Sequence, residues 1–177
     1  MIYIESPAGV GFSTAKGDAA MSQNDMQSSM DNLAAINAWF DKFPEYKNHD
    51  LYVSGESYGG IYVPYLAWQI YEQNLRAKWN TALKTIKIKG YLVGNGATNW
   101  YYDVDPTYAA TTYNFNLIDD ITYNNYTHND CLFSFATAAQ PFVIPHNNSM
   151  TCWYAEWSMH NLTEDLNWYD LYRPKYQ

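Results

Sequence analysis

Apolar residues recur at Met26, Met30, Leu33, Ile36, Phe40 and Phe43. That spacing of three and four predicts an amphipathic helix over residues 25–43, and Pro44 ends it. The opening run MIYIE, residues 1–5, reads as a short buried strand, and the SPAGVG that follows it reads as a turn. A second short strand is expected at LYVS, residues 51–54, and a second helix over residues 58–78. Pro64 lies inside that helix, so a kink or a late start belongs to the expectation. IKIKGYLV, residues 86–93, is a third strand and runs into Gly94-Asn95-Gly96. The order β-α-β-α-β, with helices of crossover length, predicts an α/β fold with a parallel sheet.

The pattern changes after residue 96. Residues 97–177 are rich in Tyr, Asn and Thr and only weakly periodic. They read as short helices and loops, an excursion from the sheet of the kind that forms a lid or cap. The expected organisation is therefore a core segment, 1–96, and a lid or cap region, 97–177. No internal repeat and no phosphate-cradling glycine loop is present in the sequence.

Composition narrows the function classes. The chain has 177 residues, 47% hydrophobic and 16% charged, which is enough for a folded domain with a core. Its formal net charge is −8. Nucleic acid is thereby disfavoured as a partner, since a phosphate backbone calls for a basic footprint. No apolar run approaches the length that spans a bilayer, so no membrane partner is expected. Aromatic residues make up 18% of the chain, which points to aromatic packing or an aromatic-lined cleft. The chain opens without a charged leader or a cleavage site. Three Asn-x-Ser/Thr sequons, at Asn125, Asn147 and Asn161, nevertheless lean towards a secretory compartment, with two cysteines nearby. Cys131 and Cys152 can pair, or stand as two thiols; neither has metal-ligand spacing.

The chemistry concentrates in Gly55-Glu56-Ser57-Tyr58-Gly59. A chance G-x-S-x-G occurs in roughly one chain in twenty of this size, so context decides. The motif falls between a predicted strand and a predicted helix, where a nucleophile elbow has to be. In such a turn the serine backbone is strained, and glycines flank it because side chains there would clash. The N–H of Tyr58 would face the developing oxyanion, and the helix N-terminus adds positive potential. The competing reading is a serine that merely caps the following helix. A serine nucleophile needs a base. His49 precedes the serine, and His128, His146 and His160 lie in the polar tail, where they read as surface residues.

ESPAGVGFST (5–14), SGESYGGIYVP (54–64) and GYLVGNGATN (90–99) together resemble the serine carboxypeptidases, acid-acting α/β-hydrolase peptidases of vacuoles and lysosomes. The resemblance is specific over residues 1 to about 118. It continues more weakly to NWYDLYRP (167–174), which is similar to a segment closing the family's lid insertion. It implies a partial α/β-hydrolase fold and a serine-type carboxypeptidase that removes C-terminal residues from peptides through an acyl-enzyme, with no metal and no cofactor. It assigns Ser57 as nucleophile. Tyr58 becomes the backbone oxyanion donor, with its ring lining the pocket for the residue before the scissile bond. Glu56 becomes a ligand of the substrate's C-terminal carboxylate. That role suits a partly buried carboxyl beside another carboxyl, whose pKa rises so that it donates a proton at acid pH. Asn95, Gly96 and Ala97 match the loop near the acyl-side pocket. Gly59-Gly60 stands where the family commonly has Ala-Gly. Tyr176 or its neighbour stands where the lid segment often has a cysteine.

The family's upstream Asn-Gly-Gly-Pro-Gly segment, the glutamate that partners Glu56, and the downstream catalytic Asp and His have no match here. The chain is therefore expected to be the central part of a longer protein, and inactive by itself. The resemblance also implies a lysosomal, vacuolar or extracellular glycoprotein. Two alternatives stand beside the peptidase: a carboxypeptidase-like acyltransferase using the same elbow, and a truncated, non-catalytic peptide-binding protein.

Overall fold

The computed structural model describes residues 1–17, 23–99, 103, 105–129, 131 and 149–175. Two compact units divide the chain, residues 1–98 and 99–177.

In the first unit, helix α1 (Asp25–Lys42) begins at Asn24, whose side-chain oxygen accepts the N–H of Gln27 at 2.8 Å. This is the usual way to satisfy a first-turn donor. The helix ends one residue before the predicted boundary, and a 3-10 turn, Pro44–Tyr46, follows. Its buried stripe differs from the predicted one. Ile36 and Phe40 are buried and Leu33 packs against them, but Met26 and Met30 are exposed, and Ser28 and Ser29 are buried in their place. Ser29 fits there because its hydroxyl donates to the Met26 carbonyl at 2.7 Å.

Strand β1 (Leu51–Glu56) runs two residues further than predicted, up to the serine. Helix α2 (Gly59–Ala77) is continuous through Pro64, without a late start. Strand β2 (Ile88–Gly94) pairs with β1 in parallel, with Glu56 opposite Gly94 at the end of the register. Strand β2 starts two residues later than predicted because the Asn74 side chain takes the strand partner's place at Ile86. Its Nδ2 donates to the Ile86 carbonyl and its Oδ1 accepts the Ile86 N–H, both at 2.8 Å. Ile36, Phe40, Leu66, Ile70 and Ile86 form the core between helices and sheet, with Ile70 fully buried. Asn37 and Gln73 join α1 to α2 through a reciprocal amide pair of 2.8 and 3.0 Å.

The strand predicted at residues 1–5 is not formed. These residues have no strand structure and are exposed, Tyr3 at 84%. The two-stranded sheet among the described residues offers them no pairing. A strand is defined by its neighbours, so apolar content alone does not make one. The turn expected at SPAGVG does form after it: Gly9 N–H donates to the Ser13 carbonyl at 2.8 Å, and Glu5 Oε2 accepts the N–H of Phe12 at 2.5 Å.

Among its described residues the second unit holds three helices, α3 (Asp105–Asn114), α4 (Asp120–His128) and α5 (Met150–Thr163). Asp119 caps α4 by accepting the Thr122 N–H at 2.7 Å, and Ser149 caps α5 by accepting the Cys152 N–H at 3.2 Å. Ala109, Ile118, Tyr126, Ala155 and Met159 are buried together with a Cys131–Cys152 disulfide. Pairing, the first of the two alternatives left open by the sequence, is thus what the structure shows. In NWYDLYRP, Arg173 pairs with Asp170 at 3.0 Å, and Pro174 forms a β-bridge with Leu166, just before the segment.

Candidate active site

Strand β1 delivers Ser57 to its C-terminal end, and α2 begins two residues later. The serine has φ +59°. This left-handed region is disfavoured for a residue with a Cβ, at about 1–2 kcal/mol, so surrounding bonds have to hold it. Three do. Ser57 N–H donates to the Gly94 carbonyl at 3.0 Å; the Ser57 carbonyl accepts Gly60 N–H at 2.9 Å and Ala97 N–H at 3.0 Å. The side chain is exposed. The helix is not capped by the serine. Its N-cap is Tyr58, and no side chain makes a capping bond there. The capping reading of Ser57 therefore finds no support, and the elbow geometry does.

The glycines divide the steric work differently from the expectation that both flanking positions exclude side chains. A Cβ on Gly55 would lie 2.9 Å from Val63 Cγ2 and 3.3 Å from Gly59 Cα. A Cβ on Gly59 would meet only Val63 Cγ2, at 3.9 Å, an ordinary contact. The close approach is at Gly60 instead, where a Cβ would lie 2.6 Å from the Ala97 carbonyl oxygen. Gly60 thus lets the loop after β2 lie against the first turn of α2. In that loop Asn95 also takes a left-handed backbone, φ +44°, which asparagine tolerates better than most residues.

Glu56 is exposed beside Ser57. The partial burial expected of it is not present, because it ends the outward-facing row Tyr52, Ser54, Glu56 of β1. Tyr58 is half-buried. Its ring lies 4.8 Å from that of Tyr62, tilted by 56°, and its hydroxyl donates to both carboxylate oxygens of Asp25 at 3.2 Å. Tyr62 has a hydroxyl pKa raised above the usual value, first by burial and then by the Asp25 charge. Sequence reasoning missed Asp25. Its only signal was an acidic residue in a first turn, which reads as complementing the helix dipole.

His49, His128 and His160 are exposed. His146 and Asn147 lie outside the described residues, as does Tyr176. Asn125 is exposed on α4 and Asn161 on α5. Among the described residues, no cluster of three or more His, Cys, Asp or Glu could hold a metal ion, and no helix is long and apolar enough to cross a membrane.

A parallel β-turn-α unit with a left-handed serine at the strand end is the backbone geometry that a nucleophile elbow requires, and it lies in a partial α/β-hydrolase fold. The crystal structure of Kex1(delta)p, a prohormone-processing carboxypeptidase from Saccharomyces cerevisiae, shares this fold: the match has a TM-score of 0.53 and 21% identity, and covers 91% of this chain and 35% of that one. The family model for serine carboxypeptidase matches residues 1–177, and the chain belongs to that family. It is similar to serine carboxypeptidase-like 21 of Arabidopsis thaliana, 33% identical over 99% of this chain and 33% of the relative. It is also similar to serine carboxypeptidase-like 26 of Oryza sativa subsp. japonica, 43% identical over 58% of this chain and 21% of the relative. The chain thus spans between a fifth and a third of the length of these curated relatives.

Proposed function

We propose that this chain carries the nucleophile of a serine-type carboxypeptidase that releases C-terminal residues from peptides. The observation that supports it is the Ser57 backbone, left-handed, fixed by three main-chain bonds and not used as a helix cap, in a chain of the serine carboxypeptidase family. In this reading Ser57 Oγ attacks the terminal peptide carbonyl. The Tyr58 N–H, at the opening of α2, stabilises the oxyanion. The amine leaves, and water then releases the acyl group from Ser57. Glu56 is assigned to the substrate's C-terminal carboxylate, and Ala97 to the acyl-side wall.

The base and acid of the triad are assigned to sequence that residues 1–177 do not include, so residues 1–177 by themselves are expected to be inactive. Losing such partners typically costs on the order of 10⁴-fold or more. Residues 97–177 are assigned as a lid or cap. The sequons at Asn125, Asn147 and Asn161, with the disulfide, support a secreted, lysosomal or vacuolar glycoprotein.

The test uses the protein that carries this chain. It should take a fluorophosphonate probe on Ser57, lose the label in Ser57→Ala, and hydrolyse an N-blocked dipeptide at acid pH. Acyl transfer to an added alcohol in preference to water would move the reading to an acyltransferase. Absence of labelling in a folded protein would leave the peptide-binding alternative.

A further inference from the structure

The tie between Tyr58 and Asp25 has no part in the elbow itself, yet it sits one residue from the nucleophile. The Tyr58 backbone follows a serine fixed by three main-chain bonds, so the ring retains only its own two torsions. Both are constrained. The Tyr62 ring covers it at 4.8 Å, and Asp25 takes its hydroxyl in a forked bond, 3.2 Å to each oxygen. Asp25 is free of capping duty, because Asn24 supplies the cap of α1. Its carboxylate at the first turn is favoured by the helix dipole and ties the start of α1 to the start of α2 across 33 residues. At 3.2 Å to each oxygen the forked bond is long for an O–H···O contact, so it fixes the hydroxyl's direction together with the Tyr62 ring rather than by its strength alone.

We propose that Asp25 is a positioning residue: by holding the Tyr58 hydroxyl it fixes the Tyr58 ring as a rigid wall beside Ser57, and so sets how well the site accepts a large side chain on the acyl side of the scissile bond. The inference rests on the carboxypeptidase reading above.

The test is kinetic, on the protein that carries this chain, with probe titration of Ser57 to count competent sites. Two N-blocked dipeptides are compared, one with phenylalanine and one with glycine on the acyl side. Asp25→Leu should lower kcat/KM for the phenylalanine peptide about tenfold, the scale of one hydrogen bond to a charged group, and for the glycine peptide less than about threefold. Asp25→Asn keeps an acceptor oxygen and should restore most of the loss. Tyr58→Phe should reproduce the Asp25→Leu pattern, and combining the two should add nothing, because both remove one bond.

Equal losses on both peptides, or additive losses in the double variant, would overturn the proposal. Should Asp25→Leu fail to fold, Tyr58→Phe alone decides: an undiminished preference for the phenylalanine peptide refutes the wall. A different failure marks the underlying reading. A parent protein that neither takes the probe nor cleaves either peptide removes the carboxypeptidase reading and this inference together.

Discussion

Adjacent glycines in the first turn of α2 should respond oppositely to the same substitution. In Gly60→Ala the new Cβ would stand 2.6 Å from the Ala97 carbonyl oxygen, 2.7 Å from its carbon and 2.9 Å from its nitrogen. These are main-chain atoms, and the Ala97 N–H is itself bonded to the Ser57 carbonyl at 3.0 Å. No flexible side chain is available to move aside, so the loop 95–97 has to shift by several tenths of an ångström. Overpacking of this kind costs about 1–3 kcal/mol. Replacing glycine by alanine in a helix returns up to about 1 kcal/mol, which leaves a net loss of up to about 2 kcal/mol. Gly59→Ala places its Cβ 3.9 Å from the nearest side-chain atom. Only the helix gain remains, so stability should be unchanged or higher by up to about 1 kcal/mol. Urea unfolding of the protein that carries this chain, followed by far-UV circular dichroism, reads the difference. The two variants differ by the overpacking cost, so with slopes of about 1–3 kcal/mol per molar urea their midpoints should separate by roughly a third of a molar or more. Gly60→Ala should also slow fluorophosphonate labelling, because the displaced loop shares a hydrogen bond with the serine backbone. Equal midpoints, or a more stable Gly60→Ala, would refute the packing argument.

Removing the Cys131–Cys152 bond, by Cys152→Ala or by mild reduction, opens a closed loop with a sequence separation of 21 residues. The loop-entropy relation then gives a loss of about 3 kcal/mol, measured as a lower midpoint with the near-UV signal of the second unit lost first. Asp119 accepts the N–H of Thr122 and holds its carboxyl below the usual pKa for that reason. A folded-state pKa below the unfolded one contributes stability that is complete above the unfolded value and is lost as pH falls through the folded value. Helicity should therefore decline on acidification below about pH 4. Asp119→Asn keeps a capping oxygen without the titration, so its acid limb should be flatter than the parent's; superimposed acid limbs would contradict the assignment.

What could be read from the chain was what repeats at short range. The 3.6-residue recurrence through Leu33, Ile36 and Phe40 marked α1, and the strand-serine-helix order marked the elbow, because both are local consequences of backbone geometry. The parallel pairing of β1 with β2 followed from the crossover pattern. The start of β2 could not be read, since Ile86 is satisfied by an Asn74 side chain 12 residues away, and periodicity carries no sign of such a bond. The first five residues misled for a related reason: MIYIE has strand composition, but pairing is a property of the neighbour. Around the serine, the strained turn at Ser57 and the steric need for Gly55 were legible. The requirement at Gly60 was not, since its partner is the Ala97 backbone, and the partner of the Tyr58 hydroxyl lies on another helix.

The elbow is therefore less local than its five-residue motif suggests. A left-handed serine is unfavourable by about 1–2 kcal/mol, and two of the three bonds that offset it come from Gly94 and Ala97, at and beyond the end of β2. Those bonds exist only in the register that sets Glu56 opposite Gly94. A slip of one residue would carry the Gly94 carbonyl about 3.3 Å along the strand, too far to accept the Ser57 N–H. It would also carry Ala97 out of the hollow that Gly60 leaves. G-E-S-Y-G-G and G-N-G-A are thus two halves of one device. The first contains the strained residue and the space beside it; the second supplies the acceptor and donor that hold the strain. The spacing between them is the length of one helix and one strand, which places the strain at the sheet's carboxyl edge, where an exposed Ser57 Oγ can be reached.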